Sequence, residues 1–123
     1  MRRITKPITD DAKKLLLAVA KFFEKYPERW NRGAFAKAKD GTEVYTDDPS
    51  ACCFCVAGAL GRFSGTKRGP MTVWEATGAY RPALDALRKQ ISGANFYDVY
   101  EWNDKRRGAA TVAKMCRKAA QTL

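Results

Sequence analysis

Between Ser50 and Gly61 the chain carries no charged side chain. The tract Ser50–Phe63 reads Ser-Ala-Cys-Cys-Phe-Cys-Val-Ala-Gly-Ala-Leu-Gly-Arg-Phe, so nearly every side chain is small or apolar. Such a segment has no face suited to water and must be enclosed by the rest of the fold. Cys52, Cys55 or Val56, Ala59 and Phe63 fit a helical period, which predicts a buried central helix over 50–63. Gly58 inside that helix costs about 1 kcal/mol relative to alanine, and a close approach by another helix would account for it.

The flanks supply the cover. Ile8, Ala12, Leu15, Val19, Phe22 and Tyr26 recur at spacings of three and four, which predicts one apolar helical stripe. Thr9 is its expected N-cap, Asp10 and Asp11 suit its first turn, and Pro27 ends it. Lys14, Lys21 and Lys25 fall on the opposite face. A closing helix is expected over roughly 106–121, with Ala109, Val112, Cys116, Ala119 and Leu123 as its stripe and Asn103 or Asp104 as its cap. Arg107, Lys114, Arg117 and Lys118 gather on its other side.

Lys39-Asp40-Gly41 separates Ala34–Lys37 from Thr42–Thr46, the signature of a small β-hairpin around residues 34–46. Thr72-Val73-Trp74-Glu75 matches a capping box and opens a short helix. Pro82 suits the first turn of another, which carries Leu84, Leu87 and Ile91 and closes at Ser92-Gly93. Phe96 to Trp102 is aromatic and compatible with a strand or a short helical turn. These elements predict a mainly α (α+β) fold: one domain over 1–123, built as a compact bundle of four to five helices with a small hairpin.

Residue types narrow the chemistry. Histidine is absent, which removes the commonest general base and transition-metal ligand and rules out a Cys-His or Ser-His dyad within the chain. Cys52, Cys53, Cys55 and Cys116 are the thiols, and no secretory leader or membrane-length apolar run accompanies them. Reduced cysteines in a cytoplasmic protein are therefore expected. Three thiols in four residues are too tight to converge on one zinc ion, and core packing is the favoured role. No metal and no cofactor are expected. In Glu101-Trp102-Asn103-Asp104, capping and core packing are favoured over cation binding.

The net charge is +10, and it is uneven. Residues 1–32 have a balance of +5, residues 33–66 of −1, and residues 67–123 of +6. Lys14, Lys21, Lys25, Lys67, Arg68, Lys105, Arg106, Arg107, Lys114, Arg117 and Lys118 are the candidate contacts for nucleic acid or an acidic protein surface. Trp74, Tyr97 and Tyr100 are available for stacking, although core duty is favoured for each. A phosphate-binding Gly-x-x-x-x-Gly-Lys-Ser loop is missing.

Three patches carry a family resemblance. They are Trp30-x-x-Gly33-Ala34, then Cys53-Phe54-Cys55-Val56-Ala57-Gly58-Ala59-Leu60, and finally Trp102-Asn103-Asp104. Together with Asp40-Gly41 they resemble a family of small proteins from bacteriophages and bacteria, described only as a domain of unknown function. The extra Cys52 and the basic Lys105-Arg106-Arg107 depart from that pattern. The resemblance carries no activity with it. It implies a phage or bacterial cytosolic setting, where small proteins often bind host machinery, including defence nucleases.

Three functions follow as expectations. The first is a non-enzymatic binding module for nucleic acid or a nucleic-acid-processing complex. The second is a phage-encoded inhibitor of a host protein, such as a defence complex. The third is a small enzyme using Cys53 or Cys55 with Asn103 and Asp104. Membrane binding is disfavoured, because the amphipathic face of the first helix is what a bundle core requires.

Overall fold

Asp11 starts the first ordered element, because its carboxylate accepts a hydrogen bond from the Lys14 backbone N–H at 3.1 Å and so caps α1 (Ala12–Lys25). The computed structural model describes residues 11–64, 78–105 and 108–123. Thr9, expected as the cap, lies outside those residues, as does Ile8. The buried face of α1 consists of Leu15, Leu16, Val19, Ala20 and Phe23. It is wider than the predicted stripe and turned away from Tyr26, which is 36% exposed. The reason is that α1 packs against α2, α3 and α5 at once, so its apolar arc must span more than one line of side chains.

After α1 a single 3-10 turn (Pro27–Arg29) leads to β1 (Ala36–Ala38). Gly41 N–H bonds to Ala38 O, and Ala38 N–H bonds to Thr42 O, so the expected turn at 39–41 does close. Val44 N–H then reaches Ala36 O, and Lys37 bridges to Glu43. The other edge of β1 takes β2 (Ala51–Phe54) in antiparallel register. The small β-hairpin is thus present, with the two-stranded sheet itself formed by β1 and β2.

This pairing divides the uncharged tract. Its first part is β2, and only Val56–Ser64 forms the buried helix α2. Sequence periodicity extended the helix back to residue 50, because a short apolar run does not distinguish strand from helix. It also overstated the burial: Ser50 is exposed, and Ala51, Cys52 and Cys53 are half-buried. Gly58 is explained by a different neighbour from the one expected. A Cβ there would stand 1.8 Å from the Phe35 carbonyl oxygen, so the close approach is to the backbone leading into β1, not to another helix.

Three helices complete the bundle: α3 (Tyr80–Gln90), α4 (Phe96–Lys105) and α5 (Ala109–Ala120). Pro82 sits in the first turn of α3, and Ser92, with φ of 59°, adopts the left-handed conformation that ends it. Phe96–Trp102 belongs to the ten-residue α4, where Asp98 Oδ2 accepts from the Ala94 and Asn95 backbone N–H groups. The stripe of α5 is buried as expected at Ala109, Val112, Cys116 and Ala119, whereas Leu123 is 51% exposed. Gly108, and not Asn103 or Asp104, precedes the first turn of α5. The short helix expected at Thr72–Glu75, with Trp74, lies outside the described residues.

Candidate functional site

The three sequence patches meet in space around Asn103. Its side chain is fully buried near the C-terminal end of α4. Asn103 Oδ1 accepts from Trp30 Nε1 at 2.8 Å and from the Val56 backbone N–H at 2.9 Å. Its Nδ2 donates to Asn31 O at 3.1 Å and to Asp104 Oδ1 at 3.3 Å. Asp104 Oδ1 also accepts from the Gly33 N–H at 3.0 Å, and the Arg32 guanidinium donates to Asp104 O at 3.3 Å. Gly33 holds φ of 85°, where a side chain would be strained. Asn103 therefore caps a helix, but it is α2, reached across the fold.

Asn103 has no polar atom to spare. An amide has two acceptor positions and two donors, and Asn103 uses all four. Trp102 is half-buried and packs against the core from α4. Asn103 and Asp104 thus join the 30–34 loop to the start of α2 and the end of α4.

The thiols are spread over different environments. Cys55 is fully buried just before α2, where the Gly58 N–H points at its sulfur at 3.3 Å. Burial pushes its thiol from 9.0 up to about 12, and the nearby Asp104 carboxylate adds to the rise. Cys116 is buried in α5 and is pushed up to about 12 by the same desolvation. Cys53 is half-buried on β2 and is raised by burial and by its neighbour Cys52. Among the described residues no group of three or more cysteine or carboxylate side chains is placed to hold a metal ion.

Two consequences can be measured. Cys55 and Cys116 should resist iodoacetamide at neutral pH until the protein unfolds, whereas Cys52 and Cys53 should react in the native state. Modification of all four at the global unfolding rate would contradict this. Thiols raised in the folded state favour folding fully below pH 9.0, their ordinary pKa, and lose that contribution as pH rises towards about 12. The urea midpoint should therefore fall across that interval, and fall less in a Cys116→Ala variant after correction for its own cavity cost.

The cations form a second candidate site. Lys14, Lys21 and Lys25 lie exposed on one stripe of α1. Lys114 and Lys118 lie exposed on α5. Arg117 is held by Glu24 of α1 through two bonds of 2.7 Å. That fork keeps the Glu24 carboxyl below its usual range, with Lys21 contributing. Residues three and four apart are surface neighbours on a helix. Lys21 thus adjoins Glu24, Lys114 adjoins Arg117, and the ion pair connects the two lysine rows.

Sequence reasoning missed two members of this face, Tyr26 and Arg29. Lys25 Nζ lies 5.5 Å and the Arg29 guanidinium 5.2 Å from the centre of the Tyr26 ring. The helical period of α1 places Tyr26 on the core stripe. The competing run Leu16, Ala20 and Phe23 was the signal that the buried arc turns away from it. Lys105 is exposed at the end of α4, beside a shallow groove lined with Ile91, Ser92 and Trp102. Tyr97 is exposed on α4, and Tyr100 is half-buried against Phe35. Lys67, Arg68, Arg106 and Arg107 lie outside the described residues.

Fold and site together define a small helical protein with a two-stranded sheet, a buried asparagine hub and a cationic helix face. The chain belongs to the DUF6197 family, a family of unknown function, which it matches over residues 7–122. No curated protein and no solved structure matches it. No helix among the described residues is long and apolar enough to cross a membrane.

Proposed function

We propose that the protein is a non-enzymatic nucleic-acid-binding module whose contact surface is the α1–α5 face. One observation carries the reading: the Glu24–Arg117 ion pair sets the exposed lysines of α1 beside those of α5, and Glu24 is the one acidic residue within the two helices. The helix α5 contains no acidic residue at all, and Glu24 is already neutralised by Arg117. Lys14, Lys21, Lys25, Lys114 and Lys118 make no ion pair among the described residues, so their charge is directed to solvent. A polyanion releases counterions on binding such a row, and this drives association without base readout. Tyr26, bracketed by Lys25 and Arg29, offers a ring for stacking an unpaired base.

The test is fluorescence anisotropy with labelled single-stranded and duplex oligonucleotides over a salt series. Binding should weaken steeply with salt, and Lys21→Glu/Lys25→Glu/Lys118→Glu should reduce affinity at least tenfold. Each lost phosphate contact should lower the log–log salt slope by about 0.7 on single strands or about 0.9 on duplex. Absence of binding at low salt, or equal binding by the triple variant, would refute the proposal.

A further inference from the structure

The pairing of β1 with β2 contains an irregularity that brings two thiols together. Lys37 is opposite Cys53 and Ala38 is opposite Ala51, so Cys52 is an extra residue on β2 with no partner. In a regular strand, neighbouring side chains leave from opposite faces. A bulge breaks that alternation by inserting one unpaired residue. Here the Cys53 and Cys52 sulfurs are 3.6 Å apart, with the Cys53 thiol directed at its neighbour. Both side chains are half-buried, so small reagents can reach them, unlike the enclosed Cys55 and Cys116. Cys53 Sγ also lies 3.9 Å from the Glu28 carbonyl oxygen, an alternative acceptor for its one proton.

We infer that Cys52 and Cys53 form a vicinal dithiol, a reversible modification site that closes to a disulfide by exchange with a low-molecular-weight disulfide of the glutathione class. One cysteine thiolate attacks the small disulfide, forms a mixed disulfide and releases one small thiolate. The second cysteine, as its thiolate, attacks the protein sulfur of that mixed disulfide and releases the other. The protein loses two electrons and the small disulfide gains them, leaving two small thiols and one Cys52–Cys53 bond. Adjacent Cα atoms are about 3.8 Å apart, shorter than the roughly 4.4–6.8 Å that disulfides ordinarily span. The closed ring is therefore strained, and strained disulfides are the easily reduced ones.

The experiment incubates reduced, folded protein with oxidised glutathione, quenches with acid, labels free thiols with N-ethylmaleimide in denaturant and reads intact mass and fragment ions. The expected product has lost two hydrogens, carries no glutathione, and is labelled at Cys55 and Cys116 only. Cys53→Ser should instead retain one glutathione on Cys52, and Cys52→Ser one on Cys53. Phenylarsine oxide should protect both thiols of the wild-type protein from labelling and neither thiol of the single variants. A stable glutathione adduct on the wild-type chain, a pairing through Cys55, or full labelling of Cys52 and Cys53 would overturn the inference. If a serine variant proves unfolded by circular dichroism, the wild-type fragment map decides alone.

Discussion

Gly58→Ala should destabilise the protein by about 2–4 kcal/mol, although alanine is the better helix former by about 1 kcal/mol. The new Cβ would stand 1.8 Å from Phe35 O and 2.7 Å from Phe35 C, both backbone atoms. No rotamer change can relieve such a clash, so α2 or the strand must move. That movement also stretches the bond from Cys55 N–H to Phe35 O, now 3.3 Å. A loss of this size corresponds to a drop in Tm of about 10 °C or more for a domain of this length. Urea denaturation should show a lower midpoint at unchanged slope. A neutral or stabilising result would mean that α2 and the residue before β1 are not in contact.

The second large effect is expected at Asn103. Asn103→Ala strips the partner from Trp30 Nε1, the Val56 N–H and the Asn31 carbonyl. Each buried group left unpaired costs about 1–3 kcal/mol, and because all three share one hub the losses do not simply add. A total near 4 kcal/mol is expected, read by denaturation with the emission of Trp30 as a local reporter. Asn103→Asp separates the roles of the amide. It retains an acceptor for Trp30 and Val56, loses the donor to Asn31, and places a carboxyl beside Asp104. Burial and that like charge raise the pKa of the new carboxyl above its unfolded value. Its protonated form can donate, so the variant should regain stability as pH falls below neutrality and lose it as pH rises. An Asn103→Asp variant whose deficit is independent of pH would refute the hub.

How far the sequence reaches is clear element by element. The helices α1 and α5 are legible because a 3.6-residue period survives any packing arrangement that buries one face. The arc of α1 that is buried is less legible, since two overlapping stripes share Leu15 and Val19, and only the neighbouring helices select between them. The tract 50–63 reads as buried throughout, but the pairing of Ala36–Ala38 with Ala51–Phe54 turns its first part into a half-buried strand, and the enclosed stretch is Phe54–Arg62. Arg62 looks like a surface cation by residue type. In the fold it is buried and donates to the Thr46 and Asp48 carbonyls at 2.8 and 2.9 Å, fixing the loop before β2. Of the candidate basic residues, Arg117 proves to be spent on Glu24, which no spacing along the chain could reveal, because the two lie 93 positions apart.

The sequence by itself determined that the chain is mainly helical with a small hairpin, that an enclosed segment lies within residues 50–63, and that positive charge belongs to the terminal helices. These are properties of composition and period, which act locally along the chain. Only the tertiary structure decided that Trp30, Val56 and Asn103 share one hydrogen-bonded centre, that Gly58 answers to the Phe35 backbone, and that a bulge sets Cys52 beside Cys53. Each of these is a contact between segments whose register is fixed by global packing. A buried polar group must find a partner, and the sequence states the need without naming where the partner stands.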